Sequence, residues 1–193
     1  MGKLVVTEFV SIDGVFQDPG GAGEIERGGW SFDFDRGQDG DKFKFDELMA
    51  ADAQLLGRVT YEGFAAAWPS MSDEQGFADK MNGMPKYVVS TTLADPEWNN
   101  TSVINEDVAG AVTKLKDEAD GDVLVAGSGT LVRTLVEQDL VDELRLMVFP
   151  IVVGQGRHLF GDQQGPSKLR LADAKTVGPD GVIVLTYERA RTE

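Results

Sequence analysis

A chain of 193 residues with 41% hydrophobic content is long enough to bury one core without help from metal or disulfide, so one domain over 1–193 is expected. It has no cysteine and one histidine, His158, which excludes thiolate sites, cysteine nucleophiles and multi-histidine zinc motifs, and no metal is expected. A net charge of -15 argues against nucleic acid and anionic membranes as partners, because like charge repels the phosphate backbone.

The acidity is spread from Asp33 through Asp117 to Asp180, as in a solvated skin rather than a binding tail. No run of about eighteen apolar residues is present, and Met1 to Val10 lacks the basic start and long apolar run of a signal peptide. A cytoplasmic location is the expectation.

In chain order, 3–10 (KLVVTEFV) has the β-branched content of a buried strand. The Gly-, Asp- and aromatic-rich stretch 18–40 reads as a long functional loop, and 41–51 carries Phe45, Leu48 and Met49 at helical spacing. The alternation continues with strands at 53–56, 86–90 and 122–126 and helices at 60–67, 107–118 and 130–137. Repeated βα units imply a mostly parallel sheet covered by helices. The segments 143–153, 169–177 and 182–189 have no helical pattern and are separated by turn signals such as Gly178-Pro179-Asp180-Gly181, so antiparallel strands are predicted there. His158, beside Gly154 and Gly156, is expected at a turn or strand edge.

In open α/β sheets, ligands bind beyond the carboxyl ends of the strands, where helix N-termini offer free N–H groups to anions. Three segments sit at such junctions. In Gly57-Arg58-Val59-Thr60, Arg58 can pair with a phosphate and Thr60 can cap the helix or bond one. Ser90 and Thr91 offer hydroxyls to phosphate or ribose oxygens. In Gly127-Ser128-Gly129-Thr130, the glycines let the backbone approach a pyrophosphate, although Val132 stands where a GxGxxG fingerprint needs its third glycine. Each junction alone has a plain reading as turn, cap or surface ion pair. Together they fit a dinucleotide.

The set Ser11-Ile-Asp-Gly14, Gly57-Arg-x-Thr-Tyr-Glu62, Val88-Val-Ser-Thr91, Val125-Ala-Gly-Ser-Gly-Thr-Leu131 and Pro150-Ile-Val-Val-Gly-x-Gly156 resembles dihydrofolate reductases. It resembles still more the C-terminal reductase domain of the bifunctional riboflavin biosynthesis deaminase/reductase. The resemblance covers nearly the whole chain. It implies a dihydrofolate reductase-like α/β fold, a mixed, mostly parallel sheet with antiparallel C-terminal strands and helices on both faces. It also implies NADPH as cofactor, with Gly57, Arg58 and Thr60 on phosphates, Ser90 and Thr91 on the adenosine side, and Gly127, Ser128, Gly129, Thr130 and Leu131 on the pyrophosphate. An arginine near a 2′-phosphate is the physical reason to prefer NADPH to NADH.

Asp41 lies where dihydrofolate reductases carry a pterin-binding carboxylate, and it reads equally as a helix cap. Ala126 replaces the glutamate typical of riboflavin-type reductases, which weakens the case for their aminopyrimidine ribose phosphate. Asp13 is a candidate for proton delivery or substrate binding, against a plainer role as turn former. Trp30, in Gly28-Gly-Trp-Ser-Phe32, either closes over a planar substrate or anchors its loop to the core. The expected activity is NADPH-dependent reduction of a small heterocyclic or ribosyl-pyrimidine substrate, resembling 5-amino-6-(5-phosphoribosylamino)uracil reductase. The alternatives are a non-catalytic nucleotide-binding module and a pterin reductase. A homodimer is the expected assembly.

Overall fold

A computed structural model describes residues 1–161 and 165–190. Eight strands form one sheet in the order β4-β3-β2-β5-β1-β6-β8-β7. These are β1 (Leu4–Ser11), β2 (Ala51–Gly57), β3 (Lys86–Val89), β4 (Thr101–Ile104), β5 (Asp122–Val125), β6 (Glu143–Phe149), β7 (Leu169–Val177) and β8 (Val182–Arg189). The helices are α1 (Gly37–Met49), α2 (Arg58–Ala67), α3 (Phe77–Gly83), α4 (Val108–Glu118) and α5 (Gly129–Glu137).

The central strands are apolar on both sides because helices cover both faces. Leu4, Val6 and Val10 of β1, Leu55 of β2 and Val123 and Val125 of β5 bury against α4 and α5 through Val112, Leu115, Leu131, Val132 and Leu135. Val5, Leu56, Val88 and Leu124 point the other way, to Leu48 of α1, Tyr61 of α2 and Met81 of α3. A third cluster joins β6 and β8 to the long loop after β1, with Trp30 and Phe149 in edge contact at 5.6 Å.

Two predicted features differ. β6 pairs parallel with β1, from Val5↔Glu143 to Ser11↔Phe149, and β8 alone runs against the other strands, pairing antiparallel with β6 on one side and β7 on the other. α1 begins a turn earlier than the apolar spacing suggested. Asp35 accepts the Gly37 N–H at 2.7 Å, and Gly37 adopts φ 60, which starts the helix there and leaves Asp41 inside it rather than at its cap. Asp107 does cap α4, accepting the Gly110 N–H at 3.1 Å.

The feature that positions the site is a parting of strands. β1 pairs with β5 only from Leu4↔Val123 to Val6↔Val125, while its pairing with β6 runs on to Ser11. Past Val125 the chain swings toward β2, where the Gly57 N–H donates to the Gly127 carbonyl at 3.0 Å. A slot therefore opens between β1 and the turn that follows β5.

Candidate functional site

Two strand-to-helix junctions, and the turn at Ser90 that leads from β3 to β4 and not to a helix, stand at the carboxyl edge of the parallel strands. β2 runs straight into α2 at Gly57, and β5 reaches α5 through Ala126, Gly127 and Ser128, with a cis peptide between the last two. Neither Gly57 nor Ser128 caps its helix through a side chain, so the first N–H groups of both helices are left for another acceptor. The two turns touch. A Cβ on Gly57 would lie 2.3 Å from the Ser128 hydroxyl, and one on Gly127 would lie 2.8 Å from the Thr60 hydroxyl. Gly127 also has φ 96, a conformation that favours glycine. The chain thus forms a cradle of bare backbone flanked by two hydroxyls, which is the geometry a pyrophosphate needs.

Arg58 is the first residue of α2, 44% exposed, and pairs with Glu62 one turn on at 2.8 Å. An exposed pair of this kind is held weakly, so the guanidinium can turn to a phosphate. Thr60 lies within the first turn of α2 and is not its cap. Ser90, after β3, accepts the N–H groups of Thr92 and Leu93 at 3.1 and 3.0 Å, and Thr91 beside it is exposed. Thr130 accepts a 3.3 Å hydrogen bond from Arg133. Leu131 is buried in the core, so only its backbone could reach a ligand. Gly129 opens α5 under the ring of Phe16, which belongs to the loop after β1.

The three residues considered for substrate or proton transfer stand in three different settings. Asp13 accepts from the Ser11 hydroxyl at 2.6 Å and from the N–H groups of Val153 and Gly154 at 3.1 and 2.8 Å. Desolvation raises its pKa, but these donors outweigh it and hold the carboxyl below its ordinary value. An acid kept ionised is an anchor between two loops and a poor proton donor. Asp41 is 68% exposed and pairs with Arg36 at 2.7 Å. Trp30 is 2% exposed and donates its indole N–H to the Gln17 carbonyl at 3.0 Å, so it fastens the loop to the core and has no free face for a ring. Its neighbour Phe32 is the exposed aromatic of the segment.

Phe32, with Phe9, Ser31, Phe34, Asp35, Arg36 and Asp41, lines a cleft of about 220 Å³ beside β1. The Arg36 guanidinium and the Lys44 ammonium stand 5.5 and 5.1 Å from the centre of the Phe9 ring, and each is paired with a carboxylate, Arg36 with Asp41 and Lys44 with Glu47. Deeper in, Glu47 of α1 is buried between the Thr7 hydroxyl, at 2.9 Å, Lys44 and Arg145.

The sequence reading missed Glu8. It lies on β1 between Val6 and Val10, 9% exposed, and no group among the described residues donates to its Oε1. Burial pushes its carboxyl up to about 8, with Lys44 pulling the other way. The signal was present: a period of two puts Glu8 on the face shared by Leu4, Val6 and Val10, where a charge is out of place.

The RibD C-terminal domain model matches residues 2–183. The chain belongs to that family. It is 28% identical over 188 residues to YyaP of Bacillus subtilis strain 168, covering 96% of this chain and 94% of that protein. To YwjB of the same strain it is 29% identical over 188 residues, covering 97% and 98%. Both relatives are called uncharacterized.

Among solved structures, a protein named for riboflavin biosynthesis from Shewanella sp. PV-4 superposes with TM-score 0.78 at 19% identity, covering 98% of this chain and 99% of that one. Dihydrofolate reductase from Enterococcus faecalis, complexed with NADP(H), gives 0.61 at 14% identity with 98% and 97% covered. A pyrimidine reductase-like protein from Corynebacterium diphtheriae gives 0.62 at 15% identity with 98% and 92% covered. These likenesses establish the dihydrofolate reductase-like fold.

Proposed function

We propose that the RibD C-terminal domain of this chain is an NADPH-dependent reductase acting on a small nitrogen heterocycle, with a ribosyl-pyrimidine as the nearest substrate type. The observation that carries the reading is the mutual approach of Gly57 to Ser128 and of Gly127 to Thr60, which brings bare backbone and two helix starts without side-chain caps side by side. The family, and a neighbour of the same fold complexed with NADP(H), support it.

In this reading the α2 and α5 N-termini hold the phosphates, Arg58 meets the 2′-phosphate, and Ser90 and Thr91 meet the adenosine side. Bound NADPH supplies hydride. The chain's own part is to orient the substrate in the Phe9 cleft under the loop that Trp30 and Asp13 fasten, and to exclude water there. Asp41, exposed and paired with Arg36, offers little to a pterin, which lowers the pterin reductase alternative. We also retain a homodimer: β7 is an edge strand exposed over eight of its nine residues, Leu169 and Leu171 among them.

The test is NADPH oxidation with a panel of dihydropterins, pyrimidine ribosides with and without a 5′-phosphate, and small carbonyl compounds. Turnover confined to the phosphorylated pyrimidines is the expected result. NADPH binding without turnover of any compound would favour the nucleotide-binding module.

A further inference from the structure

Glu8 combines three observations. It sits on β1 two residues past the last β1·β5 pair, where the slot opens. Its Oε1 is buried without a donor, and it lies 3.5 Å from the position that a side chain on Gly127 would take, beside the Thr60 hydroxyl. On that side it shares a face with α5, whose first turn follows Gly127. A structural carboxylate would have been given partners, as Glu47 and Glu143 are by Thr7, Arg145 and Lys3. Glu8 Oε1 instead sits without a donor among the described residues at the edge of the Gly127 turn.

We propose that Glu8 faces the nicotinamide ring and couples its own proton to the charge of that ring, standing as a neutral acid beside the reduced cofactor and as a carboxylate beside the oxidised one. This rests on the cofactor reading above. The physical reason is electrostatic. The dihydronicotinamide ring is neutral, so a buried carboxylate beside it would lose hydration and gain nothing. The oxidised ring is a cation, and in a dry site an adjacent carboxylate is stabilised by it.

When the substrate is reduced, Glu8 would give up its one proton. Its O–H bond breaks, and the proton goes to the heteroatom of the C=N or C=O bond whose carbon has taken the hydride. Solvent restores the acid once product leaves. The charged group acting on Glu8 among the described residues is Lys44 of α1; Thr60 of α2 and Gly127 before α5 contribute none. Burial already holds the free-protein pKa at about 8, so the switch works at neutral pH.

The experiment needs no substrate. Dissociation constants of NADP⁺ and NADPH are measured against pH for wild type and Glu8→Gln, and their ratio is taken, so that titration of the shared 2′-phosphate near pH ~6 cancels. In wild type, NADP⁺ should tighten relative to NADPH by up to about tenfold per pH unit as pH rises toward about 8, because a single proton is released on binding. In Glu8→Gln the ratio should be flat. Should the glutamine variant fail to fold, calorimetry of wild type in two buffers of different ionisation enthalpy counts the proton directly, with release expected for NADP⁺ and none for NADPH. A pH-independent ratio in wild type, or a glutamine variant that keeps the wild-type profile, overturns the role of Glu8 and leaves the cofactor site standing. If neither nucleotide binds wild type, the cofactor reading itself falls and takes this inference with it.

Discussion

Gly57 and Ser128 meet so closely that a methyl group on Gly57 would lie 2.3 Å from the Ser128 hydroxyl and 2.9 Å from its backbone nitrogen. The hydroxyl can rotate away, but the nitrogen cannot. Gly57→Ala should therefore cost about 1–3 kcal/mol of stability, the usual range for overpacking. NADPH should bind more weakly as the two turns are forced apart. Adding Ser128→Gly relieves the side-chain clash and leaves the backbone one, so the double variant should recover part of the lost stability in urea denaturation. Full wild-type stability in the single variant would show that the turns are free to move.

Arg58 offers a sharper probe of the cofactor's identity. Its tie to Glu62 joins two side chains 44% and 49% exposed, so its removal should cost little stability. If the guanidinium meets the 2′-phosphate, Arg58→Ala should weaken NADPH by roughly tenfold or more and NADH much less. Equal losses, read by fluorescence titration of both nucleotides, would sink the assignment.

The Asp13 carboxylate joins the turn after β1 to the segment after β6 through the Val153 and Gly154 N–H groups. Its folded pKa lies below the unfolded value, so its contribution is present above the unfolded pKa and is lost as pH falls through the folded one. Asp13→Asn should cost about 1–2 kcal/mol at about pH 7 and nothing once wild-type Asp13 is itself protonated. Denaturation midpoints of the two proteins should converge on acidification. A gap that does not depend on pH would mean the charge is irrelevant.

Lys86 tests the fold apart from the site. It is fully buried at the start of β3, donating to the carbonyls of Asn82, Met84 and Asn99 at 2.9, 2.9 and 3.1 Å, with Trp98 4.2 Å from its ammonium. Lys86→Met matches the length and leaves three carbonyls without a donor, so a loss of about 3 kcal/mol is expected. Because Lys86 lies at the opposite end of its strand from Ser90, NADPH affinity should be unchanged at temperatures where the variant is folded.

The strands were legible where apolar residues ran together, as in Leu4 to Val6 and Val123 to Val125, and the turns where glycine broke the run. α3 and β4 were not. α3 has seven residues ending in glycine, and β4 is a four-residue edge strand without a fully buried position, so neither carries enough periodicity to be read. The direction of β6 was equally hidden, because a parallel and an antiparallel strand have the same apolar content. At the site, the glycine-rich turns announced themselves, since close backbone approach needs glycine whichever ligand comes. The carboxylates did not. Asp13, Asp41 and Glu8 are the same functional group in sequence, and their donors, brought by Gly154, by Arg36 or, for Glu8 Oε1, by nothing among the described residues, distinguish them only once the chain is folded.

The parting of β1 from β5 also bears on how the protein assembles. Its two walls meet only after Leu4 has found Val123, a pairing that closes most of the chain into one loop. Contacts so distant along the chain form late and slowly. Any nucleotide held in the slot is then a ligand of the finished fold alone. Its presence should raise the melting temperature with the logarithm of its concentration, and it should leave the early stages of refolding untouched.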